Sequence, residues 1–434
     1  MLVSTDSLNL ALRDEKIQVM NFLNEIANDY PQAISFAPGR PLEEFFDVES
    51  ALTLVGDFVA YDQQRKAGGR GGYSSLGQYG RTNGLIGELI AKLLHNDERI
   101  SVSPEDVVVT VGCQEAMCLC LMVLCANPGD VALIADPAYI GISGAARVLG
   151  IEIASVACND DGLDLAALER QLAHIRNAGK RARLLYLSPD FANPTGVTTG
   201  QAQRQRLLEF TRDNGIFVLE DHAYSYFHFD EARHPPLKSL PGSEHVIYLG
   251  SFSKSIFPGL RLGFIAADQR VGSEGVAQSS LTAEISKAKS LLTVNTSPIC
   301  QAIAGSLLIN QECSLRTYVE PRRKALQRNR DAMIECLEEY FPSDESWCEG
   351  IRWNRPEGGF FLTLTLPFEV SDDDLVVSAR QYGVLWTPMS YFYIDRSVSN
   401  QIRLSFSYVT ADQVRAGISA LAQMIKCRVS DALS

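Results

Sequence analysis

What the chain lacks narrows it first. Its ten cysteines include no C-x-x-C pair, so neither a zinc ribbon nor a disulfide framework is spaced here. The six histidines show no H-E-x-x-H, which leaves no histidine metal motif. No stretch approaches the roughly 20 uninterrupted apolar residues that a membrane helix needs. Excess positive charge is missing too: 434 residues carry a formal net charge of −13, which argues against nucleic acid as a partner. The opening MLVSTDSLNLALRDEK is too polar and acidic for a secretory signal. Internal repeats and low-complexity tracts are absent. AGGRGG over 67–72 fails the G-x-G-x-x-G spacing because Ser74 holds the third glycine position, so it reads as a mobile loop. These absences point to a globular cytoplasmic protein without metal, membrane or nucleic-acid partners.

Short apolar runs are what the sequence has in quantity. DVVVTVG (106–112), DVALIADP (130–137), ARLLYLSPD (182–190), GIFVLED (215–221), HVIYLGS (245–251) and RLGFIAA (261–267) are β-rich, and most stop at Gly, Pro, Asp or Ser. Helical patterns such as LAALERQLAHIRNAG and QAQRQRLLEFTRDNG lie between several of them. The cysteine-bearing run MCLCLMVLC, with Cys118, Cys120 and Cys125, reads as buried helix packing. Continuous apolar strands are covered on both faces, so an α/β fold with a mostly parallel central sheet clothed in helices is predicted. A long charged helix, RTYVEPRRKALQRNRDAMIECLEEY, precedes PEGGFFLTLTL, QIRLSFS and a terminal helix. This arrangement predicts a smaller α+β unit. The expected division is an arm and part of the small domain over 1–55, a large cofactor-binding domain over 56–325 and the small domain over 326–434. RRK at 322–324 reads as a solvated helix face.

In parallel sheets, ligands gather at the carboxyl ends of the strands, and that is where the polar residues fall. Gly112, Cys113 and Gln114 follow VVVTV and open a helix, a seat for an anion. Tyr139 follows VALIADP, Asn193 stands in FANPTG, Asp221 closes IFVLED with Tyr224 three residues on, and Ser251, Ser253 and Lys254 follow VIYLG with Arg261 beyond Pro258-Gly259. Pyridoxal 5′-phosphate needs this set. Its aldehyde takes a lysine, its phosphate needs hydroxyls and a cation, its ring nitrogen needs a carboxylate, and its 3-oxygen and flat ring need donors and an aromatic face. Lys254 is the candidate for the first, Ser251, Ser253 and Arg261 for the second and Asp221 for the third. Asn193 with Tyr224, and Tyr139, are the candidates for the rest.

With these residues assembled, the chain from about Ser35 onward resembles the fold-type I pyridoxal-phosphate aminotransferases of class I/II. The signals are NPTG followed by S-x-S-K-x-x-x-P-G-x-R-x-G. The aminoadipate and kynurenine aminotransferase-like branch is the most similar, through LGQYG (76–80) and GCQEA where GSQQA is common. The stretch NFLNEIANDYPQAISFAPGRPLEEFFD is also similar to aryl-glycine aminotransferases of peptide-antibiotic pathways. The resemblance implies an aspartate aminotransferase-like fold, and catalysis by Lys254 with Asp221 and Tyr139. It implies phosphate contacts from Gly112, Cys113 and Gln114, and Tyr79 reaching the cofactor of a neighbouring subunit in a homodimer. For the substrate it implies Arg403 on the α-carboxylate, with Asn193 and Gly39 beside it. Arg40 either contacts a substrate side chain or braces the small domain, and Tyr391, Phe392 and Tyr393 are expected near the substrate channel. The expected partners are an amino-acid donor and a 2-oxo-acid acceptor such as 2-oxoglutarate.

Three departures from the branch stand out. His222 falls beside the ring-nitrogen partner, Ala192 removes an amide, and Ala135 replaces an acid. Rival readings are another reaction on the same fold (racemase, β-lyase or decarboxylase) or a non-catalytic effector-sensing domain. The latter would carry a winged-helix segment ahead of it, for which the thirty-odd residues before Ser35 are too few.

Overall fold

A computed structural model describes residues 3–433, apart from 5–6, 14–16, 18, 20–25, 27, 66–71, 231–232, 274–275 and 396–397. The glycine-rich loop expected at 67–72 therefore lies, save for Gly72, outside the described residues. The main sheet has eight strands: β1 (Val107–Thr110), β2 (Asp130–Asp136), β3 (Glu152–Asn159), β4 (Gly162–Leu163), β5 (Arg181–Leu187), β6 (Phe217–Asp221), β7 (Val246–Ser251) and β8 (Gly263–Ala266). Their spatial order is β1-β8-β7-β6-β5-β2-β3-β4. From β3 across β2, β5 and β6 to β7 the pairing is parallel; β8 runs antiparallel to both of its neighbours. Each of the six apolar runs singled out in the sequence forms a strand. Strand β3 escapes that pattern, because near the sheet edge most of its side chains are exposed or partly buried and only Val156 is buried. In the register, Asp221 lies opposite Leu249 and Leu187 opposite Glu220, so β5, β6 and β7 end side by side.

A second sheet of four antiparallel strands, β9 (Arg352–Trp353), β10 (Phe361–Val370), β11 (Thr387–Pro388) and β12 (Ser399–Ser405), has the order β9-β10-β12-β11. Helices α2 (Arg316–Tyr340) and α3 (Ala411–Leu433) pack on each other, and their apolar residues share one core with this sheet. The early chain joins the same core: Ile34–Ser35 pairs in parallel with Val384–Leu385, and Phe36 is fully buried. Helix α2 coincides with the 25-residue charged run read from the sequence, yet RRK is not a solvated face. Arg322 is buried and donates to Ser255 O and to Phe45 O, the latter at 2.8 Å. A helix position facing a carbonyl-lined gap between elements recruits a guanidinium as readily as a surface does. Among the described residues no helix is long and apolar enough to cross a membrane, and no cluster of His, Cys, Asp and Glu could hold a metal.

Candidate active site

Where β5, β6 and β7 end, Asp221 closes β6 with its carboxylate 6% exposed. Tyr186 on β5 donates to Oδ2 at 2.7 Å, the Ala223 N–H donates to Oδ1 at 3.2 Å, and the Cys113 thiol lies 3.8 Å from Oδ1. Burial pushes the Asp221 carboxyl pKa up, while these donors and the nearby His222 pull it back. Side chains alternate across a strand, so His222 does not stand beside Asp221 as the sequence suggested. Its ring sits on the opposite face, stacked 4.8 Å from Tyr248 and close to Glu220 and Asp190.

Ser251 ends β7, and the tight turn beyond it carries Ser253 and Lys254. The Ser251 hydroxyl accepts the Ser253 N–H at 3.2 Å, and the Lys254 amine donates to Gly39 O at 2.7 Å. Burial, then Arg261, Arg403 and Arg40, lowers that amine from 10.5 to about 8. Arg261 takes left-handed φ (49°) as it leaves the Pro258–Leu260 turn, which returns its guanidinium to the start of α1 (Gly112–Leu124). There Gly112 has φ 73°, and a Cβ would stand 2.7 Å from Arg261 Nη2. The glycine therefore keeps open a cradle made of a helix amino end, a guanidinium and two serine hydroxyls, a donor set for a phosphate. Gln114 is partly committed elsewhere, donating to Gly141 O at 2.8 Å. Tyr139 lies nearby, its hydroxyl raised to about 12 by burial with Cys113 and Asp221 adding to the effect.

Arg403, on β12, is 3% exposed and lies behind Asn193. It donates to Asn193 Oδ1 at 2.7 Å and to Ala37 O at 2.6 Å, while its Nε is buried without a partner. Phe361 and Phe392 present their rings 4.2 and 4.6 Å from its guanidinium carbon. Burial lowers Arg403 from 12.5 to about 9, because none of the described carboxylates comes within ion-pair reach. Asn193 also hydrogen-bonds the Tyr224 hydroxyl, which burial pushes up. Gly39 fits against Phe361 so tightly that a Cβ would come within 2.4 Å of the ring.

Lys254, Asp221, Asn193, Tyr139, Tyr224, Ser251, Ser253, Arg261, Cys113 and Gln114 thus border one cleft, an arrangement able to seat pyridoxal phosphate by its charge pattern and by the glycine-kept cradle. Gly112, Gly39 and Arg403 lie outside its lining, Arg403 touching it through Asn193 and Gly39 through Lys254, and the remaining expected residues do not all reach it. Tyr79 is 80% exposed, and Arg40 is exposed although its charge is felt at Lys254. Of the three aromatics near 392 only Phe392 stacks on Arg403. Tyr391 donates to Asp372 at 2.6 Å, and the Tyr393 hydroxyl to Gln401 at 3.3 Å. Sequence reading missed Tyr186, whose only signal is one hydroxyl inside an apolar strand, and the carbonyl of Ala37, which carries no side-chain signal; Gly39 is expected beside the substrate, but not as the acceptor for Lys254.

Residues 60–421 match the family model for aminotransferase class I and II. The chain is 44% identical over 432 residues to (S)-3,5-dihydroxyphenylglycine transaminase of Amycolatopsis orientalis, covering 98% of this chain and 95% of that one. It is 31% identical over 399 residues to 2-aminoadipate transaminase of Thermus thermophilus, 91% of each. The multiple substrate aminotransferase of Thermococcus profundus superposes with a TM-score of 0.83 at 29% identity, over 99% of this chain and all of the other. The protein belongs to the class I and II aminotransferases. It is therefore a pyridoxal-phosphate-dependent enzyme of the aspartate aminotransferase-like fold, working between an amino acid and a 2-oxo acid.

Proposed function

We propose that the donor is an aryl-glycine or another aromatic amino acid, that the acceptor is a 2-oxo acid such as 2-oxoglutarate, and that Lys254 is the catalytic amine. The observation that carries this reading is a buried amine bordering the cleft, lowered to about 8, with a buried guanidinium that has no acid partner held against Asn193 on the cleft's lining. The aromatic preference draws support from the 44% identical phenylglycine transaminase and from Phe361 and Phe392 beside Arg403.

When bound, pyridoxal phosphate supplies an electron sink that acidifies the substrate's α-proton. In this reading Ser251, Ser253, Arg261 and the amino end of α1, with Gly112, Cys113 and Gln114, would hold the phosphate. Asp221, which receives the Tyr186 hydroxyl and the Ala223 N–H, would hold the protonated ring nitrogen. Asn193 and Tyr224 would donate to the 3-oxygen, and Tyr139 would cover the ring. Arg403 would take the α-carboxylate as a bidentate fork, with its carbonyl contacts giving way. The displaced Lys254 amine, still basic but largely neutral above about pH 8, would carry the proton away from the α-carbon and return it one position along. Phe361 and Phe392 would exclude water and strengthen the ion pair.

The same reading includes a homodimer in the cytoplasm and the division of the chain near residues 55 and 325. Tyr79 is largely exposed in the single chain, and Leu291, Val294 and Ile299 are exposed apolar residues; Gly80 adjoins Asn295 and Pro298 in the same region. Such a patch suits a two-fold contact across which Tyr79 reaches the partner's cofactor. The free cysteines fit a reducing compartment.

A screen of the twenty amino acids and the phenylglycines against 2-oxoglutarate tests the proposal. Oxo acid formed one-for-one with glutamate, fastest from an aromatic donor, is expected. Racemised donor or released ammonia without glutamate would replace transamination with one of its rivals.

A further inference from the structure

Behind Asp221, on the other face of β6, lies a set of buried charges that the reaction leaves unused. His222, whose side chain has no exposed surface, places Nε2 2.9 Å from Glu220 Oε1 and Nδ1 3.3 Å from Asp190 Oδ2. Asp190 sits in the loop that leads from β5 to Asn193. The fully buried Arg204 binds that same aspartate, together with Thr199 O at 2.8 Å and Pro189 O at 3.2 Å. Glu220 accepts the Lys238 N–H at 2.9 Å and the Leu237 N–H as well. Arg233 pairs with buried Glu98 nearby. Three carboxylates, Asp190, Glu220 and Glu98, thus face two guanidiniums, those of Arg204 and Arg233. The charges balance only when the imidazole carries a proton. Burial opposes that proton, but Glu220, Asp190 and Glu98 together outweigh burial and raise the His222 pKa. Neither ring nitrogen is aligned for a hydrogen bond to its carboxylate, so the contacts count as ion pairs, and a neutral ring would leave a buried carboxylate without counter-charge, which is costly.

We propose, on the basis of the cofactor seat described above, that His222 is a positioning residue. As an imidazolium it ties the loop carrying Asn193 to the strand end carrying Asp221. The donor to the cofactor's 3-oxygen and the acceptor for its ring nitrogen are thereby set at a fixed separation. Neither His222 nor Asp190 borders the cleft, so both act through their neighbours. Among the described residues, a further side-chain link between loop and strand end at this point is the Ser188 hydroxyl, which donates to Asp221 O at 3.0 Å.

Two measurements test this. In wild-type protein labelled with ¹³C-histidine, at least one of the six ring signals should remain imidazolium at pH 7.5; six neutral rings at that pH would overturn the proposal. In His222→Gln, the titration midpoint of the bound cofactor's visible band should rise by about half a pH unit, since a displaced Asn193 no longer steadies negative charge on the 3-oxygen. Cofactor affinity should fall by ~10-fold, about one charge-assisted hydrogen bond. Asp190→Asn should move both readouts the same way, and the double variant should be no worse than the more severe single one. A loss of thermal stability with an unmoved midpoint, or additive effects in the double variant, would make the cluster merely structural and refute the proposal. Persistence of the visible band in Lys254→Ala would refute the seat itself, and this inference with it. Loss of that band beside an unmoved midpoint in His222→Gln would refute this inference alone.

Discussion

Lys254 offers a kinetic test of the electrostatics. Its amine is lowered from 10.5 to about 8 by burial and by Arg261, Arg403 and Arg40. Only the free base attacks an aldehyde. At pH 7, an amine titrating at 8 is about one-tenth free base, against about 0.03% for an ordinary lysine, a ~300-fold difference in reactive population. Cofactor-free protein mixed with pyridoxal phosphate in a stopped-flow cell should therefore develop its visible band at a rate that climbs tenfold per pH unit near 7 and bends flat above about 8. Arg40→Gln, which removes the smallest of the three repulsions, should move the bend upward by a few tenths of a unit while leaving the plateau rate intact. A wild-type rate that keeps climbing past pH 9.5 would mark Lys254 as an ordinary solvated lysine and refute the reasoning.

The same depression has a stability consequence with a definite sign. The folded state disfavours the charged lysine, so the destabilisation is fully present below about pH 8 and is relieved as pH rises towards 10.5. Cofactor-free Lys254→Met should accordingly resist urea better than wild type at pH 7, by ~2 kcal/mol once the lost bond to Gly39 O is subtracted from the linkage gain; a less stable variant would contradict the depressed amine. Arg403→Lys cannot reproduce a bidentate fork and should raise KM for the amino donor by ~30-fold, with a smaller change in kcat, in steady-state kinetics. Arg322→Met leaves Ser255 O and Phe45 O without their donor and should destabilise the protein by ~2 kcal/mol in urea titration, although the residue is read from sequence as surface. Tyr79→Ala should leave the thermal midpoint of dilute cofactor-free protein within about one degree, since the side chain is 80% exposed in the single chain, yet weaken cofactor binding measurably by absorbance.

Much of this was legible in the sequence because two physical signals are local. Continuous apolar runs must be strands covered on both faces, and polar residues that interrupt the ends of such runs need a ligand or a partner. Asp221, Lys254 and Asn193 announce themselves in that way. Strand β3 does not, because next to a two-residue edge strand it is covered over little of its length and need not be apolar on both faces, and EIASVACN shows no clear apolar pattern. The direction of His222 is invisible because a change of face between neighbouring residues depends on where the strand stops. Arg322 looks like its neighbours Arg323 and Lys324 in a linear string, and only the approach of the Lys254 turn and of Phe45 singles it out. Tyr186 is hidden for the opposite reason: a tyrosine inside LLYLS passes for core until the carboxylate of the adjacent strand is seen to receive its hydroxyl.

Lys254 and Arg403 rest on the carbonyl oxygens of Gly39 and Ala37, two residues apart in one segment. A carbonyl that gives up its donor strands no ion, whereas a displaced carboxylate would have to be carried out of the protein still charged. Both cations are thus parked on neutral moorings, and an arriving anion is the first full counter-charge either one meets. Asp221, the carboxylate bordering the same cleft, is taken up by Tyr186 and the Ala223 N–H, which leaves both cations for an incoming acid.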